Sequence, residues 1–323
     1  MIIGAKKVII STPEKIAQIN PKNIELWNKY LVGKNMKLSD TSKKSYESDI
    51  NQFFIFILNN YENKYIFDID AEIMSEIIED YMAFCTMVLN NKIRRISRRL
   101  SSISSIYVYY KKKRKIKVNP LDLIERPTVM KGKYEIKQTF LTLDQVELIR
   151  KILKEKMDIQ LELFFNVGIV TMARVNALSN IRIDQIDLEN RIIERVIEKE
   201  GYEVTLFFNE LVKEQIIKWL NYRKESKIEN DYLFITKFKG EWVKVDKSVM
   251  QKNWIKKIGK IINEPEFHMH DLRHSGSSLY YNSGMKLEEV SKLLNHRSTQ
   301  VTQDFYLKID YNKIKDIKDK YDF

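Results

Sequence analysis

Cysteine is almost absent from this chain of 323 residues: Cys85 is the only one, so no internal disulfide can form. Lying close to Phe84 and Met87, it reads as a small buried core residue in a reducing compartment. No apolar run approaches the roughly 20 residues that a membrane span requires. The opening Met-Ile-Ile-Gly-Ala-Lys-Lys is too short in its apolar part, which precedes its charges, to resemble a signal peptide. A cytoplasmic location is expected. There is no internal repeat, and no low-complexity segment apart from a lysine-rich C-terminal tail. Acidic residues are missing altogether between Asp80 and Asp122, and histidine is missing outside His268, His270, His274 and His296.

Hydrophobic residues make up 44% and charged residues 31%, an ordinary balance for a folded chain long enough to build two domains. The net charge of +12 points to a polyanionic partner. The segment without acids holds Lys92, Arg94, Arg95, Arg98, Arg99, Lys111, Lys112, Lys113, Arg114, Lys115 and Lys117. So many cations without a counter-charge repel one another, which favours a bound phosphate backbone over a merely solvated face. Ile93, Ile96, Leu100, Ile103 and Ile106 recur at three- and four-residue spacing, so this is a helix with one apolar stripe. Arg94, Arg95, Arg98 and Arg99 fall on an adjoining face, with Ser101 and Ser102 able to approach sugar and phosphate closely. Ser39-Asp40-Thr41 offers caps for another helix, basic at its start (Lys43, Lys44) and apolar later (Ile50, Phe53, Phe54, Leu58). Helices are also expected over about 23–31 and 71–89, which makes residues 21–122 an all-α module.

Asn119-Pro120 and Arg126-Pro127 interrupt helical character, and the lysine-bearing stretch to Gln138 has no clear period, as a linker would. Thr142-x-x-Gln145 has the form of a capping box opening a helix through Val146, Ile149 and Leu153. Leu161–Val170 is a nearly unbroken apolar run, expected as a buried helix. Short strands are expected over 183–188, 191–197 and 203–208 with Gly201 at a turn, and helices over 210–223, 248–262, 271–283 and 287–294. This second region is mostly helical with one small antiparallel sheet.

All four histidines fall in the stretch that carries His270-Asp-Leu-Arg273-His274, Leu293-Leu294-Asn295-His296-Arg297 and, further on, Tyr306. Arginine and histidine gathered about a tyrosine suit attack on a phosphodiester, whose developing charge needs donors from several sides. Zinc on His268, His270 and His274 is disfavoured, because there is no His-Glu-x-x-His, no second carboxylate at ligand spacing and no cysteine pair.

At these residues the sequence resembles the tyrosine recombinases, or phage-type integrases. His270-x-x-Arg273, the Leu-Leu-x-His296 box and Tyr306 resemble the family's C-terminal signature. Val167–Leu178, with Arg174, is similar to its first arginine box, and Ile197–Leu206, with Lys199, to its lysine hairpin. The resemblance implies the following roles. Tyr306 is the nucleophile, with Tyr311 the fallback. Arg174 and Arg273 hold the non-bridging oxygens, and Lys199 protonates the leaving 5′-oxygen. His270 accepts the tyrosine proton or orients the phosphate, His296 donates to a non-bridging oxygen, and His274 supports the fold. It further implies a 3′-phosphotyrosine intermediate without metal or ATP, no cofactor, double-stranded DNA as partner, and a tetramer on two sites or a dimer on one, with accessory proteins possible.

On this basis the chain divides into an N-terminal tail (1–20), a helical core-binding domain (21–125), a linker (126–140), a catalytic domain (141–307) and a tail (308–323). That tail has Ile309, Ile314, Ile317 and Tyr321 at helical spacing, and by the family analogy it is exchanged between subunits. Two domains so joined form a clamp about a duplex. The chain departs from the family pattern in three places: Ala177 stands where an acid usually braces the site, and Met172 and Asn295 stand where glycine is usual. The main expectation is a site-specific recombinase or integrase of a mobile element. These departures motivate a second one, a regulator, such as a phage repressor, that binds DNA through the same fold without catalysis. A type IB topoisomerase is a more distant third.

Overall fold

The basic helix organises the first unit of the structure. In this computed structural model residues 10–34, 40–128, 139–198 and 201–295 are described, and the chain divides into two compact units, Met1–Glu135 and Ile136–Phe323. In the first, α1 (Pro13–Ala17), α2 (Pro21–Lys34), α3 (Asp40–Asn60) and α4 (Ala71–Met87) accompany α5 (Ile93–Lys112). Ile96, Leu100, Ile103 and Ile106 of α5 are buried, as the stripe predicts, against Phe53, Phe54 and Ile57 of α3 and Ile78 and Tyr81 of α4. Each such side chain contributes about 1.5–3 kcal/mol of burial. Cys85 is fully buried among them.

The module starts earlier than the sequence suggests. Thr12 caps α1, with Pro13 in its first turn, and Ile19 is buried in the same core, so the expected tail 1–20 is in part structured. Asn20 is pinned by Asn63, whose side-chain carbonyl accepts from the Asn20 N–H at 2.8 Å.

In the second unit α6 (Leu143–Glu155) opens with the expected capping box: Thr142 Oγ1 accepts from the Gln145 N–H at 3.2 Å and Gln145 Oε1 from the Thr142 N–H at 3.0 Å. Next, α7 (Ile159–Thr171) is buried on every side from Leu161 onward, which is why its sequence shows no polar face. After α8 (Val175–Asn180) come β1 (Ile186–Asp187), β2 (Ile192–Ile197) and β3 (Glu203–Phe207), an antiparallel sheet in the order β1-β2-β3. Gly201 makes the turn with a φ of +79°.

After α9 (Glu210–Glu225) a second sheet was not anticipated: β4 (Ile235–Phe238) and β5 (Glu241–Lys244) form a hairpin. Lys239 and Gly240 turn it with φ of +49° and +92°, the doubly positive geometry of a two-residue hairpin loop. The helix expected over 248–262 is broken into α10 (Lys247–Val249), a wider π turn at Met250–Trp254, and α11 (Ile255–Ile261). Then α12 (Met269–Asn282) and α13 (Leu287–Leu293) follow. α12 lies tightly on α7: Gly168 leaves room for Leu272, and Gly276 for the Ile169 carbonyl.

Candidate active site

The chain leaves α7 through Met172 in the left-handed conformation (φ +54°, ψ +25°), which turns it sharply into Arg174, the residue preceding α8. Arg174 caps nothing. Its Nη1 donates to Glu198 Oε2 at 2.6 Å, with the arginine side chain 35% exposed and the carboxylate only 8%. Arg273, on the second turn of α12, is buried. Its Nη1 donates to the Met172 carbonyl at 2.6 Å and its Nη2 to the Leu294 carbonyl at 2.7 Å. These carbonyls cap α7 and α13, where helix C-termini leave acceptors unsatisfied and the dipole favours a cation.

His270, one turn before Arg273, is open to solvent. Partial desolvation of its ring, then the fields of His268, Arg273 and Arg174, hold its pKa below the ordinary imidazole value. That shift favours the neutral ring, the form able to accept a proton. Arg273 reaches the carbonyl two residues before Arg174, and His270 shares its helix, so the three belong to adjoining elements. His268 opens α12: its N–H donates to Asp271 Oδ2 at 3.0 Å and its Nδ1 lies 2.8 Å from the same oxygen. Burial raises the Asp271 pKa, while donation from His268 and Thr139 opposes that shift. His274 is buried with its ring 6.0 Å from Phe140, which fits a supporting role. The rings of His268, His270 and His274 follow one another along the helix with 6.3 Å between neighbours, rather than converging. Among the described residues no three His, Cys, Asp or Glu side chains gather as a metal would need. Lys199, His296, Tyr306 and the tail 308–323 lie outside the described residues.

Two arginines and an imidazole so disposed can hold an anionic phosphate and take a proton from an attacking hydroxyl. Met172 and Asn295, the two residues that replace glycine, both have positive φ, at +54° and +51°. The backbone shape that glycine would favour is thus kept. Ala177 is fully buried, and the carboxylate beside Arg174 comes instead from Glu198.

Sequence reasoning missed Glu198 because of a bulge. β2 and β3 shift register between Ile193 and Val196, where Arg195 has a φ of +51°. Strict alternation from Ile193 would turn Ile197 inward. The bulge instead buries Val196, leaves Ile197 50% exposed, and brings Glu198 inside. Asp271 was also missed as the buried carboxylate at the head of α12. Its position three residues after His268 was the available signal.

The basic helix requires correction. Arg99 is buried and lies in the apolar stripe, three residues from Ile96 and four from Ile103; its Nη1 donates to the Tyr81 hydroxyl at 3.4 Å and Cys85 Sγ at 3.3 Å. Nor do the arginines lack a counter-charge. Asp49, fully buried on α3, meets Arg95 at 2.8 Å and Arg98 at 3.4 Å, and accepts from Ser102 at 3.1 Å. Ser102 is therefore core, not surface. Arg94 and Lys44 are exposed, Arg98 is half-exposed, and Lys43 lies 3.5 Å from Asp40.

The model of the phage integrase family matches residues 139–313, more than half of the chain. The chain belongs to the phage integrase family, the tyrosine recombinases. It is 27% identical over 303 residues to the tyrosine recombinase XerC of Caldanaerobacter subterraneus subsp. tengcongensis, covering 87% of this chain and 82% of that one. It is 24% identical over 300 residues to the XerC of Syntrophus aciditrophicus, covering 88% and 92%. Among solved structures, the Tn1549 transposon integrase in complex with transposon right end DNA shares the fold with a TM-score of 0.70 at 16% identity, over 92% of this chain and 98% of that one. A lambda integrase dimer bound to a core site shares it at 0.62 and 16%, over 93% and 85%.

Proposed function

We propose that this protein is a site-specific DNA recombinase or integrase of a mobile element, which cuts and rejoins duplex DNA through a 3′-phosphotyrosine on Tyr306. The observation that carries this reading is geometric: Arg273 is gripped by the carbonyl two residues before Arg174, and His270 lies one turn before Arg273 on the same helix. The arginines stabilise charge on the non-bridging oxygens, His270 takes the tyrosine proton, Lys199 protonates the leaving 5′-oxygen and His296 adds a hydrogen bond. The bond energy stays in the phosphotyrosine, so religation needs neither ATP nor metal. The exposed cations Lys44, Arg94 and Arg98, with Lys43 and Arg95, supply the backbone contacts of the helical module. The related structures include a lambda integrase tetramer on a Holliday junction, which supports a tetramer as the working assembly.

The test is a duplex bearing the protein's own site, selected by pull-down from flanking genomic DNA and nicked beside the cleavage position so that the 5′-end diffuses away. A denaturation-resistant adduct that Tyr306→Phe abolishes is the expected result. Specific binding without an adduct would instead favour the silent regulator.

A further inference from the structure

We propose that Glu198 is a positioning residue of this strand-transfer reaction, holding Arg174 from behind so that its open edge meets the phosphate; the inference rests on the function proposed above. Glu198 Oε2 receives Nη1 of Arg174 at 2.6 Å, and the two side chains differ sharply in exposure, 8% against 35%. The carboxylate sits inside and the guanidinium reaches out past it. A guanidinium has five N–H donors on a rigid fork, so one contact at its inner edge fixes its plane while other donors remain for an incoming anion. A carboxylate taken this far out of water needs a cationic partner, and Arg174 is the one it has in reach among the described residues.

Glu198 is itself fixed twice. Its N–H donates to the Tyr202 carbonyl at 2.7 Å, closing the β2–β3 turn. One residue before it, the Ile197 carbonyl accepts from Asn180 Nδ2 at 2.7 Å. Arg174 precedes α8 and Asn180 ends it, so the short helix is tied at both ends to the same strand end. Position 177, one turn after Arg174, offers only a buried methyl. The register shift at Arg195 is what brings the carboxylate here, so the bulge is part of the device.

A carboxylate so placed could instead compete with DNA for Arg174, and the two roles predict opposite effects of neutralising it. The experiment uses the full chain, the nicked duplex identified above, and the same duplex with a methylphosphonate at the cleaved linkage. That substitution removes the non-bridging charge which Arg174 serves. Glu198→Gln keeps the shape and loses the charge; Glu198→Asp keeps the charge on a shorter arm. Expected for Glu198→Gln is adduct formation slowed about 10- to 100-fold on the natural phosphate, with duplex affinity little changed. The deficit shrinks on the methylphosphonate, and Glu198→Asp recovers part of the rate.

Wild-type rates, or faster ones, in Glu198→Gln would overturn the proposal, as would an equal loss on both substrates, which marks general damage. If Glu198→Gln does not fold, the two-substrate comparison is made with Glu198→Asp. A wild-type protein that forms no adduct sinks the proposed function itself, whereas an active wild type indifferent to position 198 sinks only this inference.

Discussion

Replacing Gly276 by alanine tests whether the seat of α12 on α7 positions the chemistry. A Cβ built there lies 2.2 Å from the Ile169 carbonyl oxygen and 2.9 Å from Met172 Cγ. The oxygen belongs to the backbone of a helix buried all round and cannot swing aside, so α12 must retreat on the order of 1 Å to restore ordinary contact distances of about 3.5 Å. Overpacking of this kind costs about 1–3 kcal/mol. In a unit of this size that lowers Tm by roughly 2–12 °C. Because α12 also carries His270 and Arg273, the retreat draws Arg273 away from the Met172 carbonyl, and a misplacement near 1 Å costs about 100-fold in rate. Calorimetry and adduct formation on the nicked duplex read the two effects. Gly284→Ala is the control: its φ of +107° strains any side chain, yet nothing lies within 4 Å, so it loses about 1–2 kcal/mol and leaves the adduct rate of the folded protein unchanged. Wild-type melting and rate in Gly276→Ala would refute the reasoning.

Arg99→Ala should destabilise the helical module by about 2–4 kcal/mol in denaturant unfolding, since it empties a core position beside Tyr81 and Cys85. Arg94→Ala should leave stability unchanged and lower the slope of log affinity against log salt by about 1, as one lost phosphate contact would. The His270 pKa is lowered from 6.5, so the unfolded chain binds the proton more readily. Its contribution to stability is complete above pH 6.5 and is lost as pH falls through the lower folded value. The adduct rate should fall as the medium is acidified and His270 takes up its proton, and a rate that does not fall with acid would exclude His270 as the base. Asn295→Gly should raise stability in thermal melts by about 0.5 kcal/mol, because the residue after α13 holds a φ of +51° that glycine adopts without penalty.

Periodicity made the helices legible. The stripe on α5, the capping box on α6 and the all-apolar α7 follow from spacing alone. What it could not give is the partner of each charge. Eleven cations without a neighbouring acid in the sequence looked uncompensated, yet Asp49, distant in the chain, sits between Arg95 and Arg98. Arg99 shows the opposite limit: its spacing from Ile96 and Ile103 already put it in the stripe, but its charge argued for the surface. Burial next to Tyr81 and Cys85 won because the helix face leaves the side chain nowhere else to go. Glu198 was hidden by a single inserted residue, since one bulge reverses which strand positions face inward.

The same distinction between side chain and backbone bears on the residues that replace glycine. Arg273 is held by the carbonyls of Met172 and Leu294, the ends of two helices, and carbonyls are present whatever side chains those positions carry. What the site needs at position 172 is a chain reversal that aims a carbonyl at the guanidinium. Glycine reaches that conformation freely, whereas methionine pays strain on the order of 1 kcal/mol. Met172 recovers that by burying its side chain completely beside Val290 and Leu294. Burial there also joins the turn after α7 to α13, the second helix whose end grips Arg273. A substitution that looks like erosion of a catalytic motif therefore preserves the acceptor geometry and adds packing between the elements that carry it.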